Sequence, residues 1–504
     1  MTAPEVAATA ALYGDPPLTI GQVKRVLEWW SCSEPFRKLI AADPERAGRE
    51  YKLGFDPEIM RPLWDPFDAL TAEREKRPLH PVVGAYRQFF NAKKKWRDEI
   101  KEECSPDDPR FKAWRTRQIA RNALENGAYD DYIIHTPLAI EITDGCSVGC
   151  WFCGVGATKL AKAWPYTQEN GALWRATVKV LRDKIGHAAK WGFCYWATDP
   201  LDNPDYERFA GDFCDIVGMY PQTTTAQAHK DPERVRNILR VSQSRGCRVN
   251  RFSVLTEPLL RRVFAAFTPD ELTGVEIVAQ MKDGTVPKAA AGAFRERAKS
   301  KKDIVEVEHR KLAMLADTSR RLAGDAGQGS GDMAMTQPGT IACVSGFLLN
   351  MVTRTVKLIS PCRANDKWPL GYIVFEERTF ADAADLDRHL EEMIAEHMPL
   401  TISLHDRMRF LPELNYERVS DGFQVMTPLN ALVMRRPELG EYVGALGDKL
   451  FKGDRTAGQI ALSSFFEHGI PEINTLGTLA TLFQRGMLVD AKGRVAGERP
   501  PGTG

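Results

Sequence analysis

The sequence predicts an α/β protein: a barrel or partial barrel of parallel strands, preceded by a helical region and followed by a winged-helix-like domain. Three observations predict it. From about residue 135 to 346, short β-rich runs alternate with helical stretches, as in parallel strands joined by crossover helices. Residues 19–130 carry helical periodicity alone, and the chain beyond about 406 holds two capped helices. The expected domains are therefore 1–130, 131–405 and 406–504.

In "TIGQVKRVLEWW", Ile20, Val23, Val26, Leu27 and Trp30 recur at helical spacing behind a Thr19 cap. Phe36, Leu39 and Ile40 begin a second helix, which "AADPERAG" ends. "FFNAKKKWRDEIKEEC" mixes both charge signs and reads as a solvated helix face. Six strands are expected at 137–143, 192–198, 222–228, 248–254, 274–281 and 339–346. No dinucleotide glycine fingerprint accompanies them, which suits a barrel with its reactive groups at the strand C-terminal ends. A doubly wound open sheet is the alternative. Residues 283–338 interrupt the alternation, and the Gly-rich run at 323–335 reads equally as a lid or a surface insertion. Further on, Ile460 and Phe465 are expected inward on one helix. Ile473, Leu476, Leu479 and Phe483 are expected inward on the next, with "MLV" (487–489) as a wing.

Composition excludes several classes. Lys+Arg number 68 against Asp+Glu 67, so nothing draws the chain globally to nucleic acid or an acidic membrane. No apolar run reaches transmembrane length, and the N-terminus lacks a basic flank before an apolar core, so a cytoplasmic protein is expected. Ten cysteines over 504 residues make no secreted disulfide framework; in a reducing compartment a cysteine cluster binds metal or does chemistry. The winged helix has four Lys/Arg against five Asp/Glu over 446–490, which favours a peptide bound along a strand edge over DNA.

The stretch "IEITDGCSVGCWFCGVG" (140–156) concentrates that chemistry in Cys146, Cys150 and Cys153. Three thiolates suit a four-iron, four-sulfur cluster with one iron left open to a small molecule. Structural zinc takes four ligands, and the fourth here would be a distant residue such as His135.

CxxxCxxC after a first strand resembles the cluster motif of radical S-adenosylmethionine (SAM) enzymes, with Phe152 at the aromatic position used beside adenine. The resemblance implies a partial (β/α)6 barrel, a [4Fe-4S] cluster on the three cysteines, and SAM cleavage to a 5′-deoxyadenosyl radical. Where that family has a glycine-rich GGE-like segment this chain has "YWATDPLDNPDY", so Thr198 and Asp199 are the candidate SAM contacts there. Arg251, Ser253 and Gln280 end later strands and are candidates for the SAM carboxylate and ribose, each with a structural hydrogen bond as its alternative. "VKRVLEWWSCSEPFRKLIAADP", "DPEIMRPLWD", "YWATDPLDNPDY", "IACVSGFLLNMVTRTVKLISPC" and "WPLGY" are similar to stretches of the proteusin-type radical SAM peptide epimerases, which mature ribosomal peptide natural products. That resemblance spans about residues 20–375. It implies a precursor peptide with a leader as substrate, the winged helix as leader-binding module, and an electron donor such as flavodoxin or ferredoxin. Other radical SAM peptide chemistry (C–C or thioether bonds) and RNA modification remain the alternatives.

Epimerisation needs a hydrogen donor opposite the radical, and a cysteine thiol is the natural one. Cys362, after a strand-like run and a proline, is the first candidate, as a thiol exposed at a loop; Cys343, inside an apolar strand, is the second. Cys32, Cys104, Cys194, Cys214 and Cys247 are expected to be structural.

Overall fold

The structure is a computed structural model that describes residues 18–323 and 337–489. The N-terminal seventeen residues and nearly all of the run at 323–335, including the expected lid, lie outside the described residues.

The helical region opens with α1 (Ile20–Cys32) and α2 (Glu34–Ala42). Thr19 caps α1 in a reciprocal box with Gln22. Trp29, not Trp30, is the buried tryptophan, joining Val23, Val26, Phe36 and Ile40 in one core. Two longer helices follow: α3 (Pro81–Glu103), mostly solvent-facing as its mixed charges require, and α4 (Pro109–Asn126).

Mixed α/β structure then begins with β1 (Thr136–Glu141) and α5 (Gln168–Ile185), continuing through α6 (Tyr206–Val217), β2 (Thr224–Thr225) and α7 (Pro232–Ser244). Next come β3 (Asn250–Val254), α8 (Glu257–Ala266), β4 (Val275–Ala279) and α9 (Lys302–Ala323). The last elements of this part are β5 (Val344–Asn350), β6 (Thr355–Pro361), β7 (Tyr372–Thr379) and α10 (Ala383–His397). The strands form two open sheets, β1-β5-β6-β7 and β2-β3-β4, and no sheet among the described residues closes into a barrel.

Three expectations change here. The segment 192–198 is no full strand: it touches β1 through one bridge, Ala139 to Phe193, and Tyr195 reaches Gln222 and Thr224 on the other side, so it joins the two sheets. The strand expected at 339–346 starts at Val344, which leaves Cys343 just ahead of it. Finally β5, β6 and β7 form an antiparallel meander, because Asn350 accepts from the amides of Val352 and Thr353 in a tight turn where a crossover helix was not coded.

β1 alternates as an inner strand must. Leu138 and Ile140 point outward into the core shared with α4, α5, α6 and α10, while Ala139 faces the other side with Phe193, Leu348 and Tyr372. The N-terminal helices cover β3 and β4, where Val254 and Ala279 enter the core of Val23 and Val26.

The C-terminal unit reads β8 (Asn415–Val419), β9 (Gly422–Met426), β10 (Ala431–Arg435), α11 (Gly440–Lys452), α12 (Ala457–His468) and α13 (Glu472–Gln484). Its antiparallel sheet precedes the helices, whereas "MLV" contributes only a bridge from Leu488 to Phe410. Ile460, Leu479 and Phe483 are buried as expected, but Phe465 (47% accessible) and Ile473 (73%) face outward. The unit rests on α4, since Asn430 donates to the Ala123 and Leu124 carbonyls.

Candidate functional site

The cysteine loop springs from the C-terminal end of β1. Thr143–Asp144 pairs with Lys162–Ala163, closing the loop at its base. Gly145 takes φ +80°, and a Cβ there would run into the Lys159 carbonyl, so only glycine admits this close approach. Backbone bonds from Cys146 N to Thr158 O (2.9 Å) and Cys153 N to Cys150 O (3.2 Å) set the curl. All three thiols are half-buried. Burial, reinforced by the neighbouring thiols, pushes Cys146 up to about 11 and Cys150 up to about 12. The Ala157 amide donates to Cys153 Sγ (3.3 Å).

The segment "DPLDNPDY" brackets this loop. Asp199 is buried, and its oxygens accept from the amides of Leu201 (3.0 Å) and Ala226 (2.8 Å) and from the Thr225 hydroxyl. It thereby fixes the end of β2. Asp202 accepts from the Ser147 amide (2.8 Å) and from Gln227 Nε2 (2.8 Å). Asn203 donates to the carbonyls of Ile142 (2.9 Å) and Trp164 (2.8 Å), and Asp205 accepts from the Tyr166 amide (2.9 Å). Thr198 precedes the bracket, half-buried.

A second set of polar side chains lies on the face of β3 and β4 near Cys343. Arg251 and Ser253, two apart on β3, share that face with Glu276 on β4, while Phe252 and Val254 point into the cores behind. Arg251 Nε donates to Glu276 (2.8 Å), which Lys93 of α3 also grips (3.0 Å); the two cations hold Glu276 at about 2. The Arg251 side chain nevertheless stays 40% accessible. Tyr195, Trp196 and Tyr372 line the same face, with Trp196 and Tyr372 edge to face at 5.6 Å. Gln280 follows β4, its amide bonded to Val254 O (2.8 Å).

Phe152 is half-buried beneath Lys288, whose Nζ sits 4.7 Å above the ring. Lys288 is 4% accessible, and its ammonium has no hydrogen-bond partner among the described residues.

The two donor candidates exchange environments relative to expectation. Cys362 is 1% accessible. Its neighbours are tied to α4, since Arg121 donates to Pro361 O (2.8 Å) and Arg363 N to Glu125 (2.7 Å); the thiol is held inward, and burial pushes it far up. Cys343 is half-buried among Tyr195, Trp196 and Leu370. Burial raises its thiol to about 11, with Arg251 opposing the rise. The five other cysteines are buried as expected. His135, the distant zinc ligand considered above, has both ring nitrogens engaged, by Ser345 and Asp130 at 2.8 Å each.

Asp202, Asn203, Glu276 and Lys288 escape sequence reasoning; a carboxylate inside the apolar run "VEIVA" is the one signal that pointed to any of them. Glu376, Glu396 and His397 converge elsewhere, but Glu376 already pairs with Arg378 and His397. No helix among the described residues is long and apolar enough to cross a membrane.

Fold and site together define a mixed α/β protein with a braced three-cysteine loop at a strand end and a C-terminal unit of three antiparallel strands and three helices. The chain is 32% identical over 475 residues to the uncharacterized protein y4wI of Sinorhizobium fredii, covering 93% of this chain and 87% of that protein, and it belongs to the same family. No protein-family model and no solved structure matches the chain.

Proposed function

We propose that this protein is a radical SAM peptide epimerase, inverting L-residues of a ribosomal precursor peptide. The observation that carries the reading is the loop of Cys146, Cys150 and Cys153 at the end of β1, braced by Asp202, with the half-buried Cys343 thiol packed against the same strand's Ala139 cluster. The donor set fits a cluster: three cysteines share one braced loop, burial and the neighbouring sulfurs raise Cys150, and a buried ammonium with no acceptor among the described residues stands beside it. When bound, the [4Fe-4S] cluster, reduced by a flavodoxin or ferredoxin, would supply the electron that cleaves SAM and so generates the radical that removes a Cα hydrogen.

The chain's own groups do the rest. Phe152 offers a ring to adenine, while Thr198, Ser253 and Gln280, near strand ends, offer polar groups to SAM. Asp199 acts one step removed, by holding the segment that carries Thr198. Arg251 bonds Glu276 through Nε, and its guanidinium can hold a peptide carbonyl by a charge-assisted bond. Cys343, on the same face, returns hydrogen from its thiol; one electron from the flavodoxin or ferredoxin and one solvent proton then restore it. Cys362 is the second choice because its thiol is sealed under α4. The leader adds as a strand to the free edge of β10.

Anaerobic reconstitution tests this reading. The wild-type chain should take up one four-iron cluster and cleave SAM when reduced. It should convert L- to D-residues in its precursor with no change in elemental composition. Alanine at all three cysteines should abolish cluster and cleavage. Tightly bound zinc in place of iron and sulfide refutes the cofactor. A product lighter by two mass units points to bond formation between residues and sinks the epimerase assignment.

A further inference from the structure

Lys288 stands out among the buried charges. The residue is 4% accessible, and among the described residues its Nζ meets no acceptor. A buried ammonium normally finds a carboxylate, because desolvation strongly disfavours an isolated charge. The nearest carboxylate, Glu308, is already used: it accepts from Lys311 Nζ (2.9 Å) and from the Lys288 backbone amide (2.6 Å). Two cations and one anion leave one positive charge uncompensated.

The backbone prevents escape to solvent. The Lys288 carbonyl accepts from Gln337 Nε2 (2.8 Å), and the Ala290 amide bonds Pro338 O (2.8 Å). Five residues on, the Ala293 amide donates to the Cys153 carbonyl (2.8 Å), stitching this segment to the cysteine loop. The ammonium is thus fixed over Phe152 and beside Cys150, where the ring face supplies only part of the missing counter-charge. Burial and Lys311 lower Lys288 to about 8, which still leaves it mostly protonated at neutral pH.

We propose that Lys288 is a built-in counter-charge for an electron-rich group held by the cysteine loop, easing reduction of the cluster there. The inference rests on the cofactor assigned above. Three thiolates on a [4Fe-4S] core carry net negative charge, and the one electron taken from a low-potential donor adds another. A fixed cation nearby stabilises the reduced form more than the oxidised form, so it raises the midpoint potential.

The test is a redox titration of the reconstituted full-length protein without SAM, followed by the spectrum of the reduced cluster. Lys288→Met and Lys288→Gln should retain wild-type iron and sulfide yet require a more negative potential for half-reduction. Lys288→Arg should restore most of the wild-type value, because it keeps the charge. Glu308→Gln, which removes the competing anion, should shift the midpoint in the positive direction and guards against a failure of the Lys288 variants to fold. An unchanged midpoint in Lys288→Gln overturns the proposal, as does an equal shift in Lys288→Arg. Weakened SAM binding with an unmoved midpoint also overturns it, placing the ammonium on the cosubstrate instead. A wild-type chain that takes up no iron–sulfur cluster refutes the cofactor reading, a different failure from any of these.

Discussion

Asp202 grips the cysteine loop at Ser147: one carboxylate oxygen accepts from the Ser147 amide at 2.8 Å and the other from its hydroxyl. Ser147 lies between Cys146 and Cys150, so this clasp limits how far the first two thiols separate. Asp202→Asn keeps the size but turns one acceptor into a donor that faces the Ser147 amide. The bonds are solvent-exposed, so fold stability should change by less than about 1 kcal/mol. Iron retention should suffer more, with several-fold faster loss of iron to a chelator. Iron and sulfide per chain, measured against time with chelator present, check this; loss at the wild-type rate removes the clasp from the cluster site.

Two buried carboxyls set a pH dependence. Burial raises Glu125 to about 7 despite Arg121, and raises Glu141 to about 7 despite its bonds from Asn350 and the Ala197 amide. A folded pKa above the unfolded one means that the native state holds its proton more tightly. Stability from each is therefore complete below about 4.5 and is lost as pH rises through 7, on the order of 3 kcal/mol per group as an upper figure. The thermal midpoint should fall between pH 5 and pH 8. In Glu125→Gln/Glu141→Gln that fall should shrink clearly, and a wild-type slope in the double variant means the carboxyls titrate normally.

The C-terminal unit makes its own prediction. Among the described residues the outer edge of β10 is unpaired, and consecutive residues in a strand alternate the direction of their amides. Leu432→Pro and Val433→Pro therefore differ in which amide they remove: one faces β9, the other the free edge. The variant that loses the outward amide should keep its thermal midpoint and lose leader affinity about tenfold, with little salt dependence, measured by titrating labelled leader. If both bind leader as wild type does, recognition belongs to another surface.

What the sequence made legible follows from local rules. The cysteine loop is readable because its spacing and the glycines at 145 and 149 are local, and β1 because all its positions are apolar or paired within the sheet. The segment 192–198 resembles a strand in composition, yet the Ala197 amide is taken by the Glu141 side chain in place of a ladder partner. Phe465 and Ile473 lie near the meeting ends of α12 and α13, where periodicity assigns an inward face that the next element does not cover. Cys362 and Cys343 are decided by distant partners, α4 for one and the cluster around Ala139 for the other, and no pattern within ten residues records either.

The donor is the most discriminating of these tests. Cys343 lies beside Arg251 and Tyr195, whereas Cys362 is sealed by α4. A thiol hydrogen exchanges with solvent, while the hydrogen removed from Cα departs on 5′-deoxyadenosine. In deuterated water each inverted residue should therefore gain one deuteron at Cα, read as about one mass unit per D-residue. Cys343→Ala should still cleave SAM and abstract hydrogen, yet yield no D-residues. Cys362→Ala should invert at close to the wild-type rate and lose only packing, roughly 1 kcal/mol for a small buried side chain. The reverse pattern, inversion surviving in Cys343→Ala and vanishing in Cys362→Ala, makes Cys362 the donor. It would further require the segment around Cys362 to loosen from α4 during turnover, since Arg121 and Glu125 hold Pro361 and Arg363 there. Hydrogen exchange at the Arg363 amide, now bonded to Glu125, would then speed up on adding precursor; protection unchanged by precursor leaves Cys362 inside.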